Sequence, residues 1–451
     1  MKNYKLYTVI AVMGIASLTS CSLYKSYQRP DDIKTQNMYG DLVSENSEDN
    51  LAKLSWRELY TDPQLQSLIE RAIANNTDVK IQEWAIEQAK ASRKASKLAY
   101  LPSLSLSPEG GWNRTFGDNG SSAWTYKIPV ALNWELDIFG SIYNEKKMAD
   151  ASLQMQKDVH QAVQARLVAN IASLYYQLLA LDQTKQLSEE AKKVWDDMIS
   201  TSQSLMDNGV TDAISVSQFK GQGYEFEANL KSVEHSIVQT ELNICALLGE
   251  PHHKIERSNI LNTPSPSILR VGLSAQLLDN RPDVRQAERN LEYCYHDKNL
   301  ARSNFYPKIN IGAEGAYNGN FILSFFAGLT QPIFAQGKII AQNKIAKAEY
   351  EKAKLAFQQK ILDASNEVLL ALSTCNTAHA MTITRVKEIG EYKRAVDYSR
   401  TRMSNGEATY LDVLTAQSNL FQKQQQLIDE RLEEMLGVVN LYIALGGGYS
   451  E

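Results

Sequence analysis

Two regimes of hydrophobic and polar positions alternate along the chain, and the pair is written twice. In one regime the residues alternate singly: Ile128, Val130, Leu132, Trp134, Leu136 and Ile138 interleave with Pro129, Ala131, Asn133, Glu135 and Asp137. Ile309, Ile311, Ala313, Gly315 and Tyr317 interleave in the same way with Asn310, Gly312, Glu314, Ala316 and Asn318. A period of two predicts β-strands with one apolar face. Leu104 and Leu106 begin another strand, and residues 321–334 form a fourth, more uniformly apolar one. Trp112, Trp124, Tyr126, Tyr317 and Phe321 gather toward the outer ends of these hairpins, as an aromatic girdle does.

In the other regime apolar residues recur every three or four positions, at Leu167, Ile171, Leu174, Leu178 and Leu181 and, less completely, at Leu411, Leu414 and Leu420. These are narrow stripes bounded by Gln, Lys, Glu and Asn, which suit coiled-coil-like seams between helices lying side by side in a layer. All eleven prolines lie at or before Pro332, with none between Pro129 and Pro251. Each proline-free stretch therefore predicts long helices. Residues 140–206 and 337–403 are equal stretches of 67 residues, each about 100 Å long at a rise of 1.5 Å per residue. Asn208-Gly209 and Asn405-Gly406 read as tight turns, after which helical patterning resumes and closes at Gly249 and Gly446. Shorter helices are expected over residues 63–99 and from Pro282 to about 304, with Pro282 suited to a first helical turn.

The repetition is regular. Gly140 and Gly337, Gly209 and Gly406, and Gly249 and Gly446 are all 197 residues apart, whereas Asp78-Val79 and Asp283-Val284 are 205 apart. Such constancy implies two copies of one structural unit. Strands of about 9 to 11 residues with one lipid-grade face suit a membrane barrel, but hydrocarbon tolerates no unpaired sheet edge and four strands cannot close a barrel. The chain is therefore expected to pool strands with copies of itself. The alternative is a soluble β-subdomain with one buried face.

The N-terminus bears on this choice. Lys2 and Lys5 precede an apolar run over residues 6–18, too short to span a bilayer and readable as a signal peptide. The run ends Leu18-Thr19-Ser20-Cys21, which resembles a bacterial lipobox with Cys21 as the lipidated residue, and Ser22 after it favours the outer membrane by the same resemblance. Cys245, Cys294 and Cys375 show no paired spacing and read as small buried hydrophobes, with a disulfide between two of them left open.

Composition adds little beyond this: 451 residues, 43% hydrophobic and 22% charged, describe a folded protein, and a net charge of −5 gives no electrostatic case for nucleic acid. No P-loop, GxSxG, HExxH or zinc-like Cys/His spacing supports catalysis, so neither an enzyme nor a cofactor or metal is expected. His252-His253 reads as a solvated link between the copies rather than a metal contact. Glu135, Asp137 and Glu314 fall on the polar strand faces, where they would hydrate or select within a lumen. Asp212 and Asp412 lie just past the Asn-Gly turns, and Thr409 with Asp412 three residues later resembles a capping box.

Several motifs then converge: Leu136-Asp137-Ile138-Phe139-Gly140, Asn280-Arg281-Pro282-Asp283-Val284-Arg285-Gln286-Ala287-Glu288, Asn405-Gly406 with Leu411-Asp412-Val413-Leu414, and Ala444-Leu445-Gly446-Gly447-Gly448. Together they resemble the TolC-like outer-membrane efflux protein family, most nearly its lipoprotein branch in tripartite RND-type systems. The resemblance covers residues 63 to 448. It implies an α+β membrane protein, in which three protomers of four strands each close a 12-stranded β-barrel continuous with a long periplasmic α-helical barrel. The implied divisions are a signal peptide (1–20), a lipid-anchored segment (21–62) wrapping an equatorial belt, repeat 1 (63–250), a linker (251–281) and repeat 2 (282–448). The implied partners are two further copies, a periplasmic adaptor (membrane fusion) protein, an inner-membrane RND-type pump and outer-membrane lipid. Asp412 matches an acidic position lining the closed periplasmic aperture, with Thr415 where the family often has a second acidic residue. The function implied is a passive exit duct for small molecules. The alternatives are a non-pore structural or adaptor lipoprotein, or a component of protein secretion.

Overall fold

The structure, a computed structural model, describes residues 24–31, 33, 55–114, 122–209, 211–258, 260, 280–317 and 320–447. Cys21 lies outside them. The helices are α1 (Trp56–Leu59), α2 (Pro63–Asn75), α3 (Thr77–Leu98), α4 (Ser141–Asp207), α5 (Ala213–Leu248), α6 (Pro282–Ser303), α7 (Lys338–Ser404) and α8 (Tyr410–Ala444). The strands are β1 (Ser103–Leu106), β2 (Glu109–Arg114), β3 (Ser122–Leu136), β4 (Lys308–Tyr317) and β5 (Phe321–Thr330). Among the described residues no helix is long and apolar enough to cross a membrane.

The chain divides into two compact units. One comprises residues 1–34, 84–157 and 286–359 and holds all the strands; the other comprises 35–83, 158–285 and 360–451. Each unit draws on both copies of the repeat, so the duplication in sequence is not a division in space.

The first unit contains an antiparallel sheet of order β1-β3-β4-β5, with β2 also on β3. Its first strand is interrupted where an unbroken one was expected. Pro108 has no N–H to donate, so the ladder stops and resumes at Glu109, and β1 and β2 both pair with β3. The fourth strand stops at Thr330 rather than 334, ahead of Pro332, and β3 stops at Leu136, leaving Ile138 in the turn before α4.

The helices α4 and α7 have 67 residues each, the expected length displaced by one residue. The turns that follow place Gly209 and Gly406 at φ 72° and 76°, a left-handed conformation that glycine adopts without a Cβ penalty. Along α7 the stripe is narrow: Phe357, Ile361, Ala364, Val368, Ala371 and Cys375 are buried at alternating spacings of four and three. Along α4 it is not. Tyr175, Tyr176, Leu178, Leu179 and Ala180 are all buried, a broad face serving the core of the second unit. Leu411 is exposed, outside any seam.

The helix expected over residues 63–99 is two helices. Asn76 has extended backbone, and its Oδ1 accepts from the amides of Asp78 (2.9 Å) and Val79 (3.2 Å), starting α3 as α2 ends. A side chain that caps the next helix competes with continuing the previous one.

Candidate functional site

The polar and apolar sheet faces follow from the register. Leu132 is opposite Leu104 and Ala313, Trp134 opposite Ile311, and Ala313 opposite Phe325, which puts the apolar residues of neighbouring strands on one face. Trp112 pairs with Trp124 and Tyr317 with Phe321, while the Tyr126 and Tyr317 rings lie 6.4 Å apart, so the expected girdle aromatics share that face. The opposite face carries Glu135 and Glu314, as expected, but each holds a lysine: Lys308 Nζ is 3.1 Å from Glu135 and Lys127 Nζ is 3.0 Å from Glu314. The two lysines were not singled out in the sequence, although their alternation parity places them there. Asp137 is no wall residue. It accepts from the amides of Ile142 (3.1 Å) and Tyr143 (2.7 Å) and starts α4.

The residues Arg281, Pro282 and Asp283 form a joint between helices of the second unit. Pro282 opens α6. The Arg281 guanidinium forks onto Asp283 (3.0 and 2.8 Å), reaches Glu367 (2.5 Å), and donates to the carbonyl of Ala444 (2.9 Å) at the end of α8. Lys360 Nζ lies 2.7 Å from the same Asp283 carboxylate. Burial alone would raise the Asp283 pKa, but the Arg281 fork and the Lys360 ammonium outweigh it and hold the carboxyl below its usual range. The first copy builds the same joint with a neutral residue. Asn76, which occupies the Arg281 position of the repeat, donates from Nδ2 to the carbonyl of Leu247 (2.9 Å), the repeat equivalent of Ala444. Asn76 was missed because asparagine and arginine share no chemical signature, only a position.

At the helix turns, Thr409 and Asp412 form the expected capping box on α8. Thr409 Oγ1 accepts from the Asp412 amide (3.3 Å) and Asp412 Oδ2 accepts from the Thr409 amide (2.7 Å). The Thr409 hydroxyl and amide, both donating, lower the Asp412 pKa. Asp212 is not its counterpart. It is the N-cap of α5, accepting from the amide (2.9 Å) and hydroxyl (2.8 Å) of Ser215, and those two donors lower its pKa. In the repeat register Asp212 matches Thr409 and Ser215 matches Asp412, so the two copies carry the same cap with acid and hydroxyl exchanged. Thr415 donates to the Leu411 carbonyl (2.8 Å).

Behind these caps lies an aromatic cluster that no motif announced. Trp195, Phe219 and Phe226 are buried; Tyr410 meets Phe219 edge-on at 5.9 Å and Phe421 meets Phe226 edge-on at 4.8 Å. These contacts join α4 and α5 of one copy to α8 of the other. Phe219 and Phe226, seven residues apart on α5, were the available signal.

Residues 24–33 belong to the first unit. A Cβ on Gly140 would lie 3.0 Å from the Tyr24 ring, Tyr27 and Tyr295 rings are 5.7 Å apart, and Arg29 forks onto Glu288 at 2.8 and 2.7 Å. Glycine at 140 thus serves both the turn and the passage of this segment. Cys245 and Cys375 are buried and Cys294 half-buried, all as free thiols. The pair His252-His253 is half-exposed but not simply solvated: His253 Nε2 is 3.3 Å from Arg71, which itself pairs with Glu250, and Nδ1 is 3.0 Å from the Pro251 carbonyl oxygen. Among the described residues no group of three or more His, Cys, Asp or Glu is placed to hold a metal ion.

The model of the outer membrane efflux protein family matches residues 68–250 and 273–447. The chain belongs to that family. It is 26% identical over 451 residues to the cation efflux system protein CusC of Escherichia coli O6:H1, covering 96% of this chain and 97% of that protein. It is 25% identical to the toluene efflux pump outer membrane protein TtgC of Pseudomonas putida, covering 96% and 94%, and 25% identical to the probable outer membrane lipoprotein SilC of Salmonella typhimurium, covering 98% and 99%. A crystal structure of CusC superposes with a TM-score of 0.85 at 23% identity, over 95% of this chain and 100% of that one. The outer-membrane channel OprN gives 0.85 at 20%, over 96% and 100%. The fold is that of a TolC-like outer-membrane channel, with strands of a β-barrel and long helices of an α-helical barrel. The chain is an outer-membrane efflux protein, and its family is one of transport channels rather than enzymes.

Proposed function

We propose that three copies of this chain close a 12-stranded barrel and form the passive, lipid-anchored exit duct of a tripartite pump. An RND-type inner-membrane pump, acting through a periplasmic adaptor, would deliver the cargo and supply the energy. The observation that carries this reading is the sheet itself. Its edges β1 and β5 lack a further strand within the described chain, and its apolar face exposes Leu104, Trp124, Phe325 and Leu329. Unpaired backbone edges cost several kcal/mol per group in hydrocarbon, so closure has to come from other copies. Native mass spectrometry in detergent is expected to give a trimer, and planar bilayers step conductances. A stable β-rich monomer, or a trimer that never conducts, would favour the non-pore structural or adaptor reading. Cargo is a separate question, because relatives of similar identity are named for cations and for toluene.

Lipidation at Cys21 fits the same reading. Tyr24, three residues on in the sequence, packs at Gly140, four residues past the end of β3. The mature protein is expected to lack residues 1–20 and to carry acyl mass that Cys21→Ala abolishes. Intact mass measurement decides it, and residues retained before Cys21 would overturn it.

A further inference from the structure

We propose that Lys127 is the specificity-determining residue of the barrel lumen, the group that keeps the wall from being strongly cation-selective. The inference rests on the trimeric duct. On the described strands, the polar face carries five charged residues: Glu109, Lys127, Glu135, Lys308 and Glu314. They fall at two levels. At the helix-facing ends of β3 and β4, Lys308 and Glu135 are 3.1 Å apart and cancel. Toward the outer half, Lys127 lies 3.0 Å from Glu314 on one side and directly opposite Glu109 in the β2–β3 register on the other. That level holds two carboxylates and one ammonium, which pairs with Glu314.

This level therefore keeps one net negative charge per protomer, and loss of Lys127 would leave two. Threefold closure turns that difference into a ring whose negative charge doubles. The side chains of Lys127 and Glu314 are 47% and 41% exposed, so a passing ion meets them across water rather than through protein. Screening at physiological salt acts over about 8 Å, too long to isolate an ion on the axis of a narrow barrel from the wall. The glutamates alone do not set selectivity, because Glu135 and Glu314 each hold a lysine and only the sum at each level is left; the balance does. Lys308 stands against one carboxylate at its level and Lys127 against two, so loss of Lys127 leaves the more negative ring.

The test is block of single trimer channels by hexaamminecobalt(III) added on the extracellular side, in an Asp412→Asn background so that the Asp412 carboxylates do not contribute. For a trivalent blocker near a ring gaining three charges, block by Lys127→Gln is expected to tighten about tenfold. Glu314→Gln should weaken it by a similar factor. The double variant Lys127→Gln/Glu314→Gln restores the wild-type charge and should restore wild-type block. Unchanged block in Lys127→Gln, or tightening that the double variant fails to reverse, overturns the inference. If Lys127→Gln does not assemble, Glu109→Gln decides, with weakened block expected and unchanged block against it. Absence of any step conductance from the background protein would instead count against the duct.

Discussion

Replacing Arg281 with alanine is expected to destabilise the assembled protein more than any other single change at the sites described. The Arg281 side chain is 5% exposed and makes hydrogen bonds to Asp283, Glu367 and the Ala444 carbonyl. Removing one partner of a buried pair leaves the other desolvated, at about 3 to 5 kcal/mol for a full pair. Here the cost should fall toward about 3 kcal/mol per protomer, because Asp283 keeps Lys360 and Glu367 is half-exposed to water. Lysine should not rescue, since a point charge cannot reproduce the fork. The equivalent change in the first copy, Asn76→Ala, loses a cap and one neutral hydrogen bond and should cost about 1 to 2 kcal/mol. Thermal dissociation of the trimer, compared across Arg281→Ala, Arg281→Lys and Asn76→Ala, measures this order. Equal effects of Arg281→Ala and Asn76→Ala would remove the charge from the explanation.

Acid should reveal the same joint. The Asp283 pKa is below its ordinary value, so its contribution is complete above the unfolded value of about 3.9 and fades as pH falls through the folded one. Asp283→Asn should therefore weaken the protein at neutral pH and flatten its loss of stability on acidification. An acid limb identical to wild type would place the sensitivity elsewhere.

Much of this architecture was legible in the residues because it depends on period and punctuation. The 67-residue helices were bounded by glycine and an absence of proline, and the strand faces by single alternation; both are one-dimensional signals. What escaped was relational. Asn76 caps α3 locally but joins α5 because Leu247 offers its amide a carbonyl in space, and Lys127 matters because β4 brings Glu314 to it. The broad burial around Tyr175 and Tyr176 depends on the body of the second unit, which a stripe drawn on one helix cannot contain. The exchange of Asp212 and Ser215 for Thr409 and Asp412 was hidden for a simpler reason. Two acids near two turns looked equivalent until the caps showed them at different positions of the same motif.

That exchange sharpens the expectation for the helix turns. Asp412 sits at the third helical position of α8 with its carboxylate held by Thr409, whereas Asp212 sits one turn earlier in the motif, on the cap itself. If the threefold axis passes near the α7–α8 turns, three copies of Asp412 form a ring whose repulsion is offset in part by the helix N-terminal amides. Asp412→Asn removes the charge and keeps an oxygen that can accept from Thr409, so the cap should survive and the trimer should assemble. Its channels are expected to show weaker cation preference and reduced block by multivalent cations from the periplasmic side. Asp212→Asn, with the same loss of charge at a different position, should change block less. Single-channel recording of the three proteins decides the matter. Unchanged selectivity and block in Asp412→Asn would assign Asp412 to capping alone. Equal effects at both positions would point to the general acidity of the turns rather than to a ring at one residue.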